Sequence, residues 1–171
     1  MNYLRLLIIF SCLVKFTPVL ASPENLGILD FSQGSPKIVY ANNLNSEGKS
    51  ASQKKKVLLL YVSRPDCPFC ERLKNDVLHP LIKGKRLDSK ILIREISLED
   101  NSVIGFDNQV ASAKAILGSY GIEGAPTLLY LDENGFELSQ KLSGYSSQDY
   151  YWSYFEKAIA RARTRLMKEL R

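Results

Sequence analysis

Six consecutive apolar residues, Val57-Leu58-Leu59-Leu60-Tyr61-Val62, stand between Lys54-Lys55-Lys56 and Ser63-Arg64-Pro65-Asp66. A short continuous apolar run bounded by polar sequence is the pattern of a strand covered on both faces. The polar turn then leads into Cys67-Pro68-Phe69-Cys70, after which Cys70, Leu73, Val77 and Leu81 recur at helical spacing. Cys70 therefore shares the core-facing stripe of a helix. Cys67 precedes the first turn and is expected to be the more exposed. His79-Pro80 marks an end or a kink of this helix.

The rest of the chain reads outward from this unit. Lys37-Ile38-Val39-Tyr40 has the pattern of a short strand, and residues 41–56 are polar enough for a solvated loop or frayed helix. The three lysines at its end are expected as a solvated flank. Ile91, Leu92, Ile93, Ile96 and Leu98 suggest the next strand, and Val110, Ala113, Leu117 and Tyr120 one face of a helix starting near Asp107 or Asn108. Thr127-Leu128-Leu129-Tyr130-Leu131 and the run Phe136, Leu138, Leu142 flank Asp132-Glu133-Asn134-Gly135, a strong hairpin signal. Ser146 with Asp149 fits a capping box for a last helix with the stripe Tyr151, Phe155, Ala158, Ile159, Ala162 and Leu166. This order predicts an α/β fold: a mixed sheet, its first connection a parallel crossover and its last an antiparallel hairpin, with helices on both faces.

The first 21 of the 171 residues differ in kind. Arg5, the apolar residues 6–14 and then Val19, Leu20 and Ala21 have the order of an export signal cleaved after Ala21. The apolar core is about half the roughly 20 residues that span a membrane, and Lys15 interrupts it. An uncleaved anchor is the second reading. Residues 22–56 then form an N-terminal extension and polar loop, and residues 57–171 the main domain. Loss of Arg5 and Lys15 lowers the formal charge from +5 to +3, too little to imply nucleic acid. Cys12 leaves with the signal, so Cys67 and Cys70 remain alone in a compartment where disulfides form.

A cysteine at a helix N-terminus is activated by the helix dipole and by backbone N–H groups aimed at its sulfur. A second cysteine one turn later can attack the mixed disulfide made by the first. Cys67 would be the attacking thiol and Cys70 the resolving one. Two other readings stand beside redox chemistry. A zinc half-site needs two more ligands, and only His79 is available outside the pair, so no metal and no cofactor is expected. A purely structural disulfide is the other.

Together, Cys67-Pro68-Phe69-Cys70 after a hydrophobic strand and Gly124-Ala125-Pro126-Thr127 before another resemble the thioredoxin superfamily over about residues 56–160. The resemblance implies a thioredoxin-like fold with a mixed sheet of four to five strands. It also implies a cis Pro126 beside the cysteine pair, with Ala125, Pro126, Pro68 and Phe69 meeting an extended substrate peptide. Residues 128–135, Gly144-Tyr145 and the aromatic last helix look most like exported bacterial thioredoxin-related proteins.

Departures from that pattern matter. Asp66 stands where ordinary thioredoxins carry tryptophan, and Pro-Phe replaces Gly-Pro between the cysteines. Tyr61 occupies the position of the family's buried, proton-transferring aspartate, and a tyrosine with a reference pKa of about 10 is a poor base at neutral pH. Glu95 is the candidate replacement; its alternative role is an exposed strand carboxylate paired with Arg94 or a lysine.

The resemblance implies an exported, periplasmic thiol–disulfide oxidoreductase acting on protein disulfides and recharged by a membrane electron donor. Reduction is the favoured direction, with isomerase or oxidase chemistry as the alternative. A non-catalytic binding module for an apo-protein is the rival. The aromatics of the last helix are expected to pack in the core, and its basic end to be a solvated face or a contact with an anionic membrane.

Overall fold

A computed structural model describes residues 36–170; the expected export segment lies outside them. Four strands, β1 (Val57–Ser63), β2 (Ile91–Ser97), β5 (Thr127–Leu131) and β6 (Glu137–Ser143), form one mixed sheet in the order β2-β1-β5-β6. β1 pairs parallel with β2 and antiparallel with β5, so the apolar run that defines β1 is central. Because side chains alternate across a strand, Val57, Leu59 and Tyr61 enter one core and Leu58, Leu60 and Val62 the other. β5 divides likewise, with Leu128 and Tyr130 on the first side and Leu129 and Leu131 on the second. This two-sided burial is why β1 and β5 are wholly apolar or aromatic apart from their terminal Ser63 and Thr127.

The first core is roofed by the cysteine-bearing helix and by α5 (Gln148–Glu169). α5 buries Tyr151, Phe155, Ala158, Ile159, Ala162 and Leu166, the stripe expected from its periodicity. Its N-cap is Ser147, whose side chain makes no cap bond, so the capping box expected at Ser146 does not form. The cysteine-bearing helix is α2 (Pro68–Leu73), a π-helical turn (Lys74–Leu78) and α3 (His79–Lys83) in continuous succession. His79-Pro80 does not end it. Proline lacks the N–H that an α-helix needs and crowds the carbonyl four residues back, and the wider π turn just before it absorbs that misfit.

The second core lies under α1 (Leu44–Gln53) and α4 (Ala113–Gly118). α1 corrects the expectation of a loop or frayed helix. Its polar surface hides Leu44, Gly48 and Ala51, all buried, and Asn43 caps it by accepting a hydrogen bond from the Ser46 N–H at 2.9 Å. The described residues 36–56 thus pack with the rest rather than extending from it. Before α1, residues 39–41 pair with the outer edge of β2 through Ala41 N to Glu95 O and Glu95 N to Val39 O.

The helix expected from Asp107 or Asn108 starts later. Asn108 turns the chain at a φ of 64°, and a two-stranded ribbon, β3 (Val103–Ile104) with β4 (Val110–Ala111), takes the residues before Ser112. Ser112 caps α4 by accepting from the Ala115 N–H, and Val110 is 66% exposed rather than part of a buried stripe. The hairpin between β5 and β6 forms where expected. Asp132 Oδ1 accepts from the Asn134 and Phe136 N–H groups, and Gly135 supplies the left-handed φ of 87°.

Candidate active site

Ser63 ends β1, and a tight turn with Asp66 at a φ of 51° delivers Cys67 to the N-cap position of α2. Asp tolerates this left-handed conformation better than most residues. Pro68 follows at the start of the helix, where its missing N–H costs no hydrogen bond. The Cys70 N–H donates to Cys67 Sγ at 3.2 Å, and the two sulfurs are joined as a disulfide with Cα atoms 5.2 Å apart. An N–H aimed at the Cys67 sulfur stabilises negative charge there whenever the bond is reduced.

The Ala125–Pro126 peptide bond is cis, and it brings the Ala125 carbonyl oxygen 3.9 Å from Cys67 Sγ. This loop is tied from both sides: the Gly144 N–H donates to Pro126 O at 2.8 Å and Thr127 Oγ1 donates to Gly124 O at 3.0 Å. Its cover explains why Cys67, expected to be exposed, is only 6% exposed against 1% for Cys70. Around this sulfur, Pro68 and Phe69 face solvent, Ala125 is half-buried and Pro126 buried. Phe69 is 52% exposed, with the Arg72 guanidinium 5.5 Å from its ring centroid. Of the residues expected to meet a substrate, Ala125 thus lies against Cys67 with Pro126 beside it in the chain, and Pro68 and Phe69 follow Cys67 on the exposed side.

Beneath α2 lies a polar cluster. Tyr61 stands opposite Glu95 in the parallel register of β1 and β2, so both side chains point to the face that carries the cysteines. Tyr61 OH donates to Cys70 O at 3.0 Å. Burial, and then the charge of Glu95, push the Tyr61 hydroxyl well above the ordinary tyrosine range, which keeps it protonated at neutral pH. Glu95 is 3% exposed, 3.5 Å from Lys74 Nζ, and accepts a hydrogen bond from Tyr40 OH at 3.3 Å. The reading of Glu95 as an exposed carboxylate is therefore corrected. Arg94 points to the opposite face and pairs with Glu47 of α1 at 2.7 Å.

Lys74 was not singled out from the sequence, although it lies one helical turn after Cys70, on the same side of the helix. Burial pulls its pKa down, but a 3.1 Å bond to Glu71 and the charges of Glu95 and Glu71 outweigh this, and the net shift is upward. Tyr145 was also missed as an anchor. It donates to Asp76 Oδ2 at 2.7 Å and, with Gln148 Nε2 on Asp76 O at 3.0 Å, ties the start of α5 to the π turn. Burial and that hydrogen bond push the Tyr145 hydroxyl up to about 12. Among the described residues no group of three or more His, Cys, Asp or Glu gathers to hold a metal ion.

The profile of the thioredoxin-like domain family matches residues 44–159. No curated protein matches the chain. Among solved structures, the chain is similar to a thioredoxin from Thermus thermophilus at 13% identity and a TM-score of 0.54, covering 74% of this chain and 91% of that one. It also matches the reduced periplasmic thioredoxin SoxS of Paracoccus pantotrophus at 17% identity and a TM-score of 0.46, covering 63% of this chain and 99% of that one. A Fasciola hepatica thioredoxin matches at 11% identity and a TM-score of 0.48, with 71% and 99% coverage. Because the family profile spans more than half of the chain, on a mixed four-stranded sheet with a redox-capable cysteine pair, this protein belongs to the thioredoxin-like family.

Proposed function

We propose that this protein is an exported thiol–disulfide oxidoreductase that reduces disulfides in other proteins through Cys67 and Cys70. The observation that carries this reading is the environment of the Cys67 sulfur: an N–H donor at 3.2 Å, a cis-proline loop at 3.9 Å, and solvent-facing Pro68 and Phe69 beside it. In the reduced enzyme, the Cys67 thiolate attacks one sulfur of a substrate disulfide. The substrate S–S bond breaks, an enzyme–substrate disulfide forms and the second substrate sulfur leaves as thiolate. Cys70 then gives up its proton and attacks Cys67 Sγ, closing the Cys67–Cys70 disulfide and releasing the other substrate thiol. Two electrons pass from enzyme to substrate. Another dithiol, which we assign to a membrane electron donor, must return them.

Glu95 is the carboxylate we assign to take the Cys70 proton, because it is buried on the cysteine face and is held by Lys74 and Tyr40. The order of residues 1–21 supports export, with cleavage after Ala21 and a periplasmic location. Ala125 and Pro126 would align the substrate peptide against Cys67.

The test is the equilibrium potential of the Cys67/Cys70 couple together with trapping. A value near thioredoxin's about −270 mV supports reduction, and one near the strong oxidants' about −120 mV reverses the direction. Cys70→Ser should accumulate mixed disulfides with substrate proteins. Full biological activity in Cys67→Ser would show that the chain works as a binding module instead.

A further inference from the structure

β1 and β2 run parallel, so their first residues share one end of the sheet, whereas the cysteines follow the far end of β1. The seven residues of β1 separate the two ends by about 20 Å at the usual strand rise. The end away from the cysteines gathers cations from segments distant in sequence. Lys54 and Lys55 are exposed in the turn before β1, and Arg86 and Lys90 are exposed in the loop before β2. Arg163 of α5 donates a hydrogen bond to the Lys55 carbonyl, which joins the basic helix to the lysine turn. Tyr40 pairs with Glu95 in parallel, so Lys37 lies back toward the start of β2, where it lines a cleft with Lys56. The acids in these walls are Glu156, 3.7 Å from Arg86, and Asp88. Cations predominate.

Apolar side chains lie among them, Leu87 and Trp152 partly exposed over the buried Leu81 and Ile159. Leu81, Leu87, Trp152 and Ile159 share the walls of one cavity of about 360 Å³ with Arg86, Lys90 and Arg163. The Arg86 guanidinium sits 5.3 Å from the Trp152 ring centroid. Exposed cations beside the partly exposed Trp152 and Leu87 match the headgroup level of a bilayer, where charge meets phosphate and an amphipathic ring meets the acyl boundary.

We infer that this basic pole is a docking surface for an anionic lipid bilayer, and that it holds the domain with its cysteines turned away from the membrane. The inference does not depend on the direction of electron flow. It changes the reading of Lys54-Lys55-Lys56 from a solvated flank to part of a surface built by four segments of the chain.

The test compares binding of the full chain to vesicles rich in phosphatidylglycerol and to vesicles of pure phosphatidylcholine. The apolar N-terminal residues contribute to both measurements, and Arg5 and Lys15 contribute alike to the wild type and the variants, so comparison with the variants isolates the pole. The wild type should prefer the anionic vesicles, and the preference should shrink as salt rises. Neutralising the turn in Lys54→Gln/Lys55→Gln/Lys56→Gln should lower affinity for the anionic vesicles by roughly a hundredfold, at the usual contribution of one lysine near such a surface. Lys37→Gln/Lys90→Gln, which leaves the α5 contact with Lys55 intact, should lower it by roughly twentyfold. Both variants should keep wild-type affinity for phosphatidylcholine and wild-type disulfide chemistry. Equal binding of the wild type to both vesicles, or an anionic preference that survives in both variants, overturns the inference. A preference for a DNA duplex over the anionic vesicles, lost in the same variants, overturns it in favour of nucleic acid.

Discussion

Lys74 Nζ lies 3.5 Å from Glu95 Oε1, across the gap between the cysteine-bearing helix and β2. The pair is uneven: the Glu95 side chain keeps 4% of its surface in contact with solvent and Lys74 keeps 20%. Lys74 also holds Glu71, 63% exposed, at 3.1 Å. The ammonium therefore has a second partner at the surface, while the carboxylate depends on Lys74 and Tyr40. Such an arrangement keeps one acid buried under the cysteines without leaving it unpaired.

Glu95→Gln tests the proton route. The isosteric amide keeps the packing and the Tyr40 contact but removes the proposed base, so release of the mixed disulfide should slow by about a hundredfold, the lower range for loss of a general base. Attack by Cys67, followed by alkylation of the reduced enzyme, should be little changed. Tyr61→Phe should leave the release rate close to wild type, because a hydroxyl pushed above its ordinary range by burial does not accept the Cys70 proton. Rapid-quench measurement of the mixed disulfide checks both. Wild-type release in Glu95→Gln, with loss in Tyr61→Phe, would move the role to the tyrosine.

His79, the single histidine of the chain, reports on the same cluster. Burial lowers its pKa below 6.5, Lys74 lowers it further, and Glu71 and Glu95 oppose this. A group depressed in the folded state contributes stability above its unfolded pKa and loses it as pH falls through the folded value. Stability should therefore decline below pH 6.5 in the wild type, and less so in His79→Gln. In NMR titrations the His79 midpoint should rise in Lys74→Met and fall further in Glu95→Gln. Shifts of the opposite sign would contradict the charge arrangement described.

Gly48 offers a test of close packing. An alanine raises helix propensity by about 1 kcal/mol in an exposed helix interior, so propensity alone predicts stabilisation. A Cβ at this buried position would instead meet the Glu133 carbonyl of the β5–β6 hairpin, which is backbone and cannot swing aside. Gly48→Ala should destabilise by about 1–3 kcal/mol in denaturant melts. A more stable variant would mean that α1 does not approach the hairpin this closely.

Ser112→Ala tests where α4 begins. Ser112 Oγ accepts from the Ala115 N–H at 3.2 Å, so the alanine should cost about 1 kcal/mol, the usual worth of an N-cap. Asp107 instead accepts from the Gln109 N–H within the ribbon turn. An equal loss in Asp107→Ala, with none in Ser112→Ala, would restore the earlier start expected from periodicity.

Strands and long stripes were legible because their cause is local. β1 and β5 announce themselves by continuous apolar runs, and α5 by a 3.6-residue period that burial follows residue for residue. α1 was not legible: its few buried residues, Leu44, Gly48 and Ala51, are too small or too sparse to stand out from polar neighbours. Val110 misled because an apolar residue at helical spacing says nothing about a turn inserted at Asn108. The cysteine pair and its cis-proline partner were visible as motifs, and Lys74 was not, because a lysine on a helix ordinarily faces water.

From the chain alone came a strand–turn–cysteine–helix unit, the alternation that puts layers on both sides of a sheet, and Cys67 and Cys70 as a pair placed to form a disulfide. Those features depend on neighbours in sequence. Tertiary structure alone decided that Ala125 covers Cys67, that Glu95 is buried against Lys74, and that Arg163 meets the lysine turn at Lys55. Each of these contacts joins residues far apart in the chain, or turns a charged side chain inward. Neither composition nor periodicity carries that information, because the free energy that holds a buried carboxylate or a basic pole is set by the partners that folding brings within a few ångströms.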